Sequence, residues 1–532
     1  MKRFARLLED LVFSPSRNTK LRLLQDYFSV TPDPDRGYAL AALTGTLKFR
    51  YAKAHVVRKL VEERVDPVLF NYSRDFVGDL AETAALIWPA PLAPANAPAP
   101  SVAEIVEALA DATAVQAQRQ IGLWFDRLDA GGRWALIKLV TGELRVGVSQ
   151  RLAKTALASL GKVELSAVEE VWHGLEPPYV PLFKWLEKGG EPPRIDRAAT
   201  FSPLMLAHAL DEADLKTLDP RDFSAEWKWD GIRVQVVARG GRRRLYSRAA
   251  EDIGKAFPDL LEAAAFDAVI DGELLVRREG SVGSFNELQQ RLNRKTVTPA
   301  MLKDYPVFVR AYDILFEADE DLRGLPFVER RKRLERWLKT AIGRGGSERF
   351  DLSPLVRFKT WEELRLQRAE PPASAIEGVM LKRHDSLYVG GRPKGPWFKW
   401  KRDPKVVDAV LMYAQRGSGK RSSFYSDYTL GCWRAGNDGR ELVPVGKAYF
   451  GFTDEELKQL DSWVRNHTVN RFGPVREVEK ALVLELAFEG VQRSTRHKSG
   501  VALRFPRISR IRWDKPAAEA DDVSAVEALI GA

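Results

Sequence analysis

Cysteine is almost absent from this chain of 532 residues: Cys432 stands alone. A single thiol excludes any intramolecular disulfide. It also cannot build a four-cysteine zinc site, or one of paired cysteines and histidines. Histidine is scarce as well. The six positions, His55, His173, His208, His384, His467 and His497, show no pair at ligand spacing, so structural zinc is not expected. Long apolar runs are missing too: nowhere do about 18 consecutive apolar residues occur, and no membrane span is expected. Charges interrupt the first ten residues, Met1 to Asp10, which leaves no signal-peptide core; a cytoplasmic location is the default expectation.

What the chain does hold is apolar content and positive charge. With 45% hydrophobic residues it can bury several cores, and its length suggests about three domains. Lys and Arg number 83 against 73 Asp and Glu, a net charge of +10. That balance favours a polyanionic partner such as nucleic acid, although solubility explains many basic chains equally well.

The texture changes along the chain. Up to about residue 195 it reads as helix: Phe4, Leu7, Leu8, Leu11 and Val12 line one helical face, and a second amphipathic run carries Leu21, Leu24, Tyr27 and Phe28. The proline-dense stretch from Pro89 to Pro100 reads as an extended loop within this domain. From 196 to 403, short β-rich runs such as Val234 to Ala238 and Val307 to Tyr312 alternate with helical patches, with a hairpin expected at Gly240-Gly241. This predicts a mixed sheet with helices on its faces. From 404 to 532, strands are expected at Val406 to Tyr413, Tyr428 to Trp433 and Ala481 to Phe488, with a turn at Gly436 to Gly439. Thr453 and Glu456 form a capping box before an inserted helix. A small β-barrel fits that order.

The most informative string is Lys228-Trp229-Asp230-Gly231-Ile232-Arg233. Read alone, it fits a surface lysine before a hairpin as well as it fits a nucleophile. A lysine attacks phosphorus only as the neutral amine, so such a site must lower its pKa by desolvation or neighbouring cations. Arg233 is one candidate. Lys399 and Lys401, flanking Trp400, are others, since strand alternation points both amines to one face. Glu273 and Glu377 each adjoin an apolar β-type run; singly they suit an edge salt bridge, together they suit magnesium.

In order along the chain stand Lys228 to Arg233, Ser247-Arg248, Asp271-Gly272-Glu273, Ala311-Tyr312-Asp313, Glu377 to Met380, Trp397 to Lys401 and Arg504-Phe505-Pro506-Arg507. The series resembles the motif set of the covalent nucleotidyltransferases, and more narrowly that of ATP-dependent DNA ligases. Thr141 to Val148 resembles a signature of their helical DNA-binding domain. The likeness spans nearly the whole chain. It implies three domains: a helical DNA-binding domain at 1–195, a nucleotidyltransferase domain at 196–403 and an OB-fold barrel at 404–532.

Residue by residue, the resemblance implies that Lys228 is adenylated, Glu226 reads the adenine edge, Tyr312 stacks on the base, and Arg248 lies near ribose and phosphate. Glu273 and Glu377 would serve the ribose and the metal ions. Lys382, Lys399 and Lys401 would hold phosphates, together with Arg392, where Pro393-Lys394 blurs the match; Arg504 and Arg507 would approach the leaving pyrophosphate. Tyrosine at position 312 replaces the phenylalanine frequent in the family and keeps the ring face. The implied cofactors are ATP and Mg2+ or Mn2+, and the implied partner is nicked duplex DNA; a monomer is the default expectation. Arg145, Arg151 and Lys154 are candidate phosphate contacts, with Ser149 capping the helix that follows the signature, and Lys420-Arg421 adds a basic tip. An RNA ligase or a guanylyl-transferring capping enzyme would share the lysine motif without needing the helical domain. The alternative from another class is a non-catalytic nucleic-acid-binding protein on a ligase scaffold.

Overall fold

The structure is a computed structural model that describes the chain apart from residues 90–97, 143, 197, 199, 279, 293, 295, 344–347, 418–423, 437–438 and 531–532. The proline-dense loop, Glu143 of the helical signature, Lys420-Arg421 and the centre of the 436–439 turn therefore lie, wholly or mainly, outside the described residues. Two compact units are present, Met1–Lys401 and Arg402–Ala532. The division expected at residue 195 falls inside the first unit, where one helical core gives way to cores built on sheets. No helix among the described residues is long and apolar enough to cross a membrane.

The helical core begins with α1 (Lys2–Phe13), which buries Phe4, Leu7, Leu8 and Leu11 as the period requires. Val12, expected on the same face, is 46% exposed because it lies in the last turn at the rim of the apolar stripe. Helix α2 (Arg17–Val30) buries Leu24, Tyr27 and Phe28, with Leu21 packed against the core. The signature segment joins α3 (Ala130–Thr141) to α4 (Gln150–Gly161). Gly142 ends α3 in the left-handed region at φ 72°, and Ser149 Oγ accepts from Leu152 N–H at 3.2 Å to start α4. Between them the Lys20 ammonium, buried on α2, donates to the carbonyls of Val146 at 2.6 Å and Gly147 at 3.3 Å. Gly147 has φ 67°, and a Cβ there would stand 2.4 Å from Lys20 Nζ.

Two sheets carry the rest of the first unit. Strand β1 (Phe223–Trp229) runs into β2 (Ile232–Arg239) through Asp230-Gly231, and β2 pairs with β3 (Arg242–Ser247) across the expected hairpin, where Gly240 and Gly241 have φ 53° and 74°. Next come β4 (Ala268–Arg278), β5 (Val307–Glu317), helix α5 (Phe327–Gly343), β6 (Ile376–Arg383) and β7 (Trp397–Lys401). The path β3-β2-β4-β5 forms one antiparallel sheet, and β7-β6-β1 the heart of another. On β1, Phe223 and Ala225 pack with Val379, Leu381, Phe398 and Trp400 on one face. Alternation sends Glu226 and Lys228 to the other. That second face looks toward the β3-β2-β4-β5 sheet, because Trp397 packs there with Val237, Val269 and Leu315.

In the second unit β8 (Lys405–Arg416) pairs with β9 (Tyr425–Gly436), and β9 with β10 (Gly439–Ala448). Helix α6 (Asp454–Asn466) starts at the expected Thr453–Glu456 capping box. Then β11 (Val483–Phe488) pairs with β8 and with β13 (Arg507–Arg512), while β12 (Val501–Arg504) pairs with Gly490–Arg493. The antiparallel sheet curls: Ile508 N–H donates to Phe450 O, just past β10, at 3.0 Å. This is the barrel-type architecture expected. Cys432 is wholly buried in its core, and burial pushes its thiol up to about 12.

Candidate active site

Strand β1 places Glu226 and Lys228 two residues apart on one face, and pairing in the sheet brings their neighbours into register. Gly378 of β6 sits between Lys228 and Lys401, and Met380 between Glu226 and Lys399. The ladder slips between Ile376 and Gly378, so Glu377 occupies a bulge. Its carboxylate accepts from Lys228 Nζ at 2.5 Å, and Lys401 Nζ lies 3.7 Å from the same oxygen. Burial opposes ionisation of Glu377, but Lys228 and Lys401 outweigh it and hold the carboxyl below its ordinary range. The bulge depends on glycine: Gly378 has φ 148°, and a Cβ would stand 2.2 Å from Trp400 O.

The cations converge. Lys399 is held below its ordinary value by burial and by the charges of Lys401, Arg392, Lys228 and Arg248. Four of the sequence-derived candidates therefore act on the same ammonium, including Arg392, whose local match is blurred. Arg248 occupies the exposed turn after β3, and Arg392 is exposed in the loop before β7.

The facing sheet contributes Arg233, Asp271, Glu273 and Tyr312. Arg233 does not stand free beside Lys228. It clamps Asp271 through Nη2 at 2.6 Å and Nε at 3.2 Å, and donates to Met205 O at 2.8 Å. Asp271, wholly buried, also accepts from the Tyr388 hydroxyl at 2.7 Å and the Tyr312 hydroxyl at 3.4 Å. Burial holds both phenols well above their ordinary value. Glu273 is pushed up to about 8 by burial; Lys228 and Arg233 oppose this, while Glu377 and Asp271 add to it.

Lys382 lies elsewhere than its expected role suggests. It is 1% exposed, with its ammonium 2.7 Å from Glu226 Oε2, 3.1 Å from Tyr312 O and 4.5 Å from the centre of the Tyr312 ring. A cation so enclosed tightens the Glu226–Tyr312 corner. The other Glu226 oxygen accepts from Arg331 Nη1 at 2.7 Å. Asp271 stood in the Asp271-Gly272-Glu273 motif with no role assigned to it, while Arg331 and Tyr388 were missed: Arg330-Arg331 opening a helix is an ordinary charged pattern. Arg504 and Arg507 stand in the second unit, on either side of Phe505, which has φ 51°.

Among the described residues, no group of three or more His, Cys, Asp or Glu could by itself hold a metal ion. Glu273 and Glu377 form a two-carboxylate set beside Lys228, close enough that the charge of Glu377 helps to raise Glu273. That suits magnesium, which keeps several waters and takes its remaining oxygens from substrate phosphate. In the helical part, Lys154 cannot serve as a phosphate contact: it is 5% exposed, with its ammonium 4.8 Å from the centre of the Trp172 ring.

Residues 204–401 match the model of the ATP dependent DNA ligase domain, and residues 421–515 that of the ATP dependent DNA ligase C terminal region. A probable DNA ligase of Koribacter versatilis (strain Ellin345) is 34% identical over 424 residues, covering 74% of this chain and 71% of its own. The DNA ligase of Archaeoglobus fulgidus is 31% identical over 401 residues, covering 74% and 70%. In fold the chain is similar to the solved structure Pmar-Lig_PreS3, with a TM-score of 0.61 at 14% identity over 96% of this chain and 99% of that one.

Proposed function

Since the chain belongs to the ATP-dependent DNA ligases, we propose that Lys228 is its adenylated nucleophile and that the face of β1, β6 and β7 is its ATP site. The observation that carries this is the convergence of Lys228 and Lys401 on the carboxylate of Glu377, with Lys399 near enough for both ammonium charges to act on it. A phosphate entering there exchanges solvent for three ammonium groups.

The first step is an in-line displacement: the Lys228 amine bonds to the α-phosphorus of ATP, the bond to pyrophosphate breaks, and a phosphoramide remains. Glu377 Oε2 orients the ammonium and lies within reach of its proton. Lys399 and Lys401 take the α-phosphate charge, with Arg392 and Arg248 beside them. Glu226 accepts from the adenine edge, and the Tyr312 ring receives the base. Arg233 acts at one remove, by fixing Asp271 and through it Tyr312. Glu273 and Glu377 would hold magnesium, which supplies charge neutralisation on the phosphate oxygens. Arg504 and Arg507 remain candidates for the leaving pyrophosphate. The adenylate then passes to the 5′-phosphate of a nick, and the adjoining 3′-hydroxyl displaces AMP.

The reading includes a nicked duplex as substrate, a cytoplasmic monomer, and three domains divided at 195/196 and 403/404. Backbone contacts dominate in such a complex, so binding weakens as salt rises.

Incubation with α-labelled ATP and Mg2+, then denaturing electrophoresis, tests the assignment. Wild type retains label and Lys228→Ala does not; a labelled Lys228→Ala overturns it. Labelled GTP, and nicked RNA beside nicked DNA, separate the capping and RNA-joining alternatives.

A further inference from the structure

We propose that Arg331 positions Glu226 and so sets the preference for adenine over guanine; this rests on the reading that the base lies between Glu226 and Tyr312. Arg331 comes from the first turns of α5, 105 positions from Glu226 in sequence. It is 6% exposed, and every guanidinium nitrogen has a partner: Nη1 donates to Glu226 Oε1 at 2.7 Å, Nη2 to Ser353 O at 2.7 Å and Nε to Glu335 Oε1 at 2.8 Å. Such a guanidinium is locked in orientation, and its planar fork transmits that orientation to whatever it grips. The second Glu226 oxygen is taken by Lys382, whose ammonium also packs on the Tyr312 ring. The carboxylate is thus fixed from two sides, and one of its two clamps touches the base platform.

The chemical consequence is selective. Each carboxylate oxygen has a lone pair left after its cation is served, and these lone pairs can only accept. The 6-amino group of adenine donates to such an acceptor. The 6-oxo group of guanine meets it lone pair to lone pair, which leaves both groups unsatisfied in a closed site. Freed from Arg331, Glu226 swings on its remaining Lys382 contact, and the discrimination weakens with it.

The test compares initial rates of Lys228 labelling from α-labelled ATP and α-labelled GTP, at nucleotide below saturation, for wild type, Glu226→Gln, Arg331→Gln and Arg331→Lys. In Arg331→Gln the ATP:GTP rate ratio falls by ~10-fold or more, the scale of one charge-assisted hydrogen bond. The loss appears as a raised KM for ATP, while labelling from GTP does not fall. Arg331→Lys keeps a cation on Glu226 and recovers part of the ratio. A far-ultraviolet circular dichroism spectrum matching that of wild type shows that the Arg331→Gln chain is folded. The proposal is overturned if Glu226→Gln lowers the ratio but Arg331→Gln does not, or if Arg331→Gln depresses ATP and GTP labelling equally. If Glu226→Gln itself leaves the ratio unchanged, the base does not lie at Glu226, and the underlying reading falls first.

Discussion

Lys228 Nζ and Glu377 Oε2 meet at 2.5 Å although they stand 149 positions apart in the sequence. They meet because β1 and β6 are hydrogen-bonded neighbours and because a bulge at Glu377 turns its carboxylate to the face that Lys228 occupies. Removing the carboxylate takes from Lys228 the hydrogen bond that orients it and leaves it beside Lys399 and Lys401. Glu377→Gln is expected to slow lysine-adenylate formation by ~100-fold or more, the scale of losing an aligned acid–base or electrostatic contact. Single-turnover labelling measures this; a rate within a few-fold of wild type would remove Glu377 from the reaction.

The bulge itself is vulnerable at Gly378. A methyl group there would stand 2.2 Å from Trp400 O, and the φ of 148° disfavours any L side chain. Gly378→Ala should cost about 1–3 kcal/mol of stability through strain, and it should lower adenylation by displacing the Lys228–Glu377 pair. Urea unfolding and the labelling assay, run on the same preparation, check both. Wild-type behaviour in each would mean the ladder tolerates the methyl group.

Lys20 ties the signature loop to α2 through the carbonyls of Val146 and Gly147. Lys20→Met keeps the stem and removes the donor. It leaves buried carbonyls unsatisfied, which should cost ~1–3 kcal/mol, and should weaken binding to nicked duplex without touching adenylation. Fluorescence anisotropy with labelled nicked DNA reads the second effect. If affinity were unchanged while stability fell, the loop would have no part in DNA binding.

Two neighbouring titratable groups in the helical part, His173 and Lys154, make stability depend on pH. Burial, then the charge of Lys154, pushes His173 down to about 3 from 6.5. Between those values the unfolded chain binds a proton that the folded chain does not, so stability is complete above 6.5 and falls as pH drops toward 3. Burial likewise pushes Lys154 down to about 8 from 10.5 despite Glu169, so its contribution to stability rises as pH climbs from 8 to 10.5. Urea midpoints against pH should show a shallower acid limb in His173→Phe and no alkaline rise in Lys154→Met. Superimposable curves for all three proteins would refute the assignment.

The sequence by itself determined whatever depends on neighbours along the chain. Two-residue alternation already put Lys399 with Lys401 on a common strand face. Gly240-Gly241, Ser149 and the Thr453–Glu456 box are turn and cap chemistry that acts over a few residues. The ordered motifs carried the family. Tertiary structure alone decided which charges are spent on one another. Arg233 grips Asp271, Lys382 and Arg331 share Glu226, and Lys154 disappears beneath Trp172. In a linear reading these are interchangeable basic residues. Buried charge must find a partner, and the partner is set by which strands and helices become neighbours in space, a long-range matter that no local period encodes.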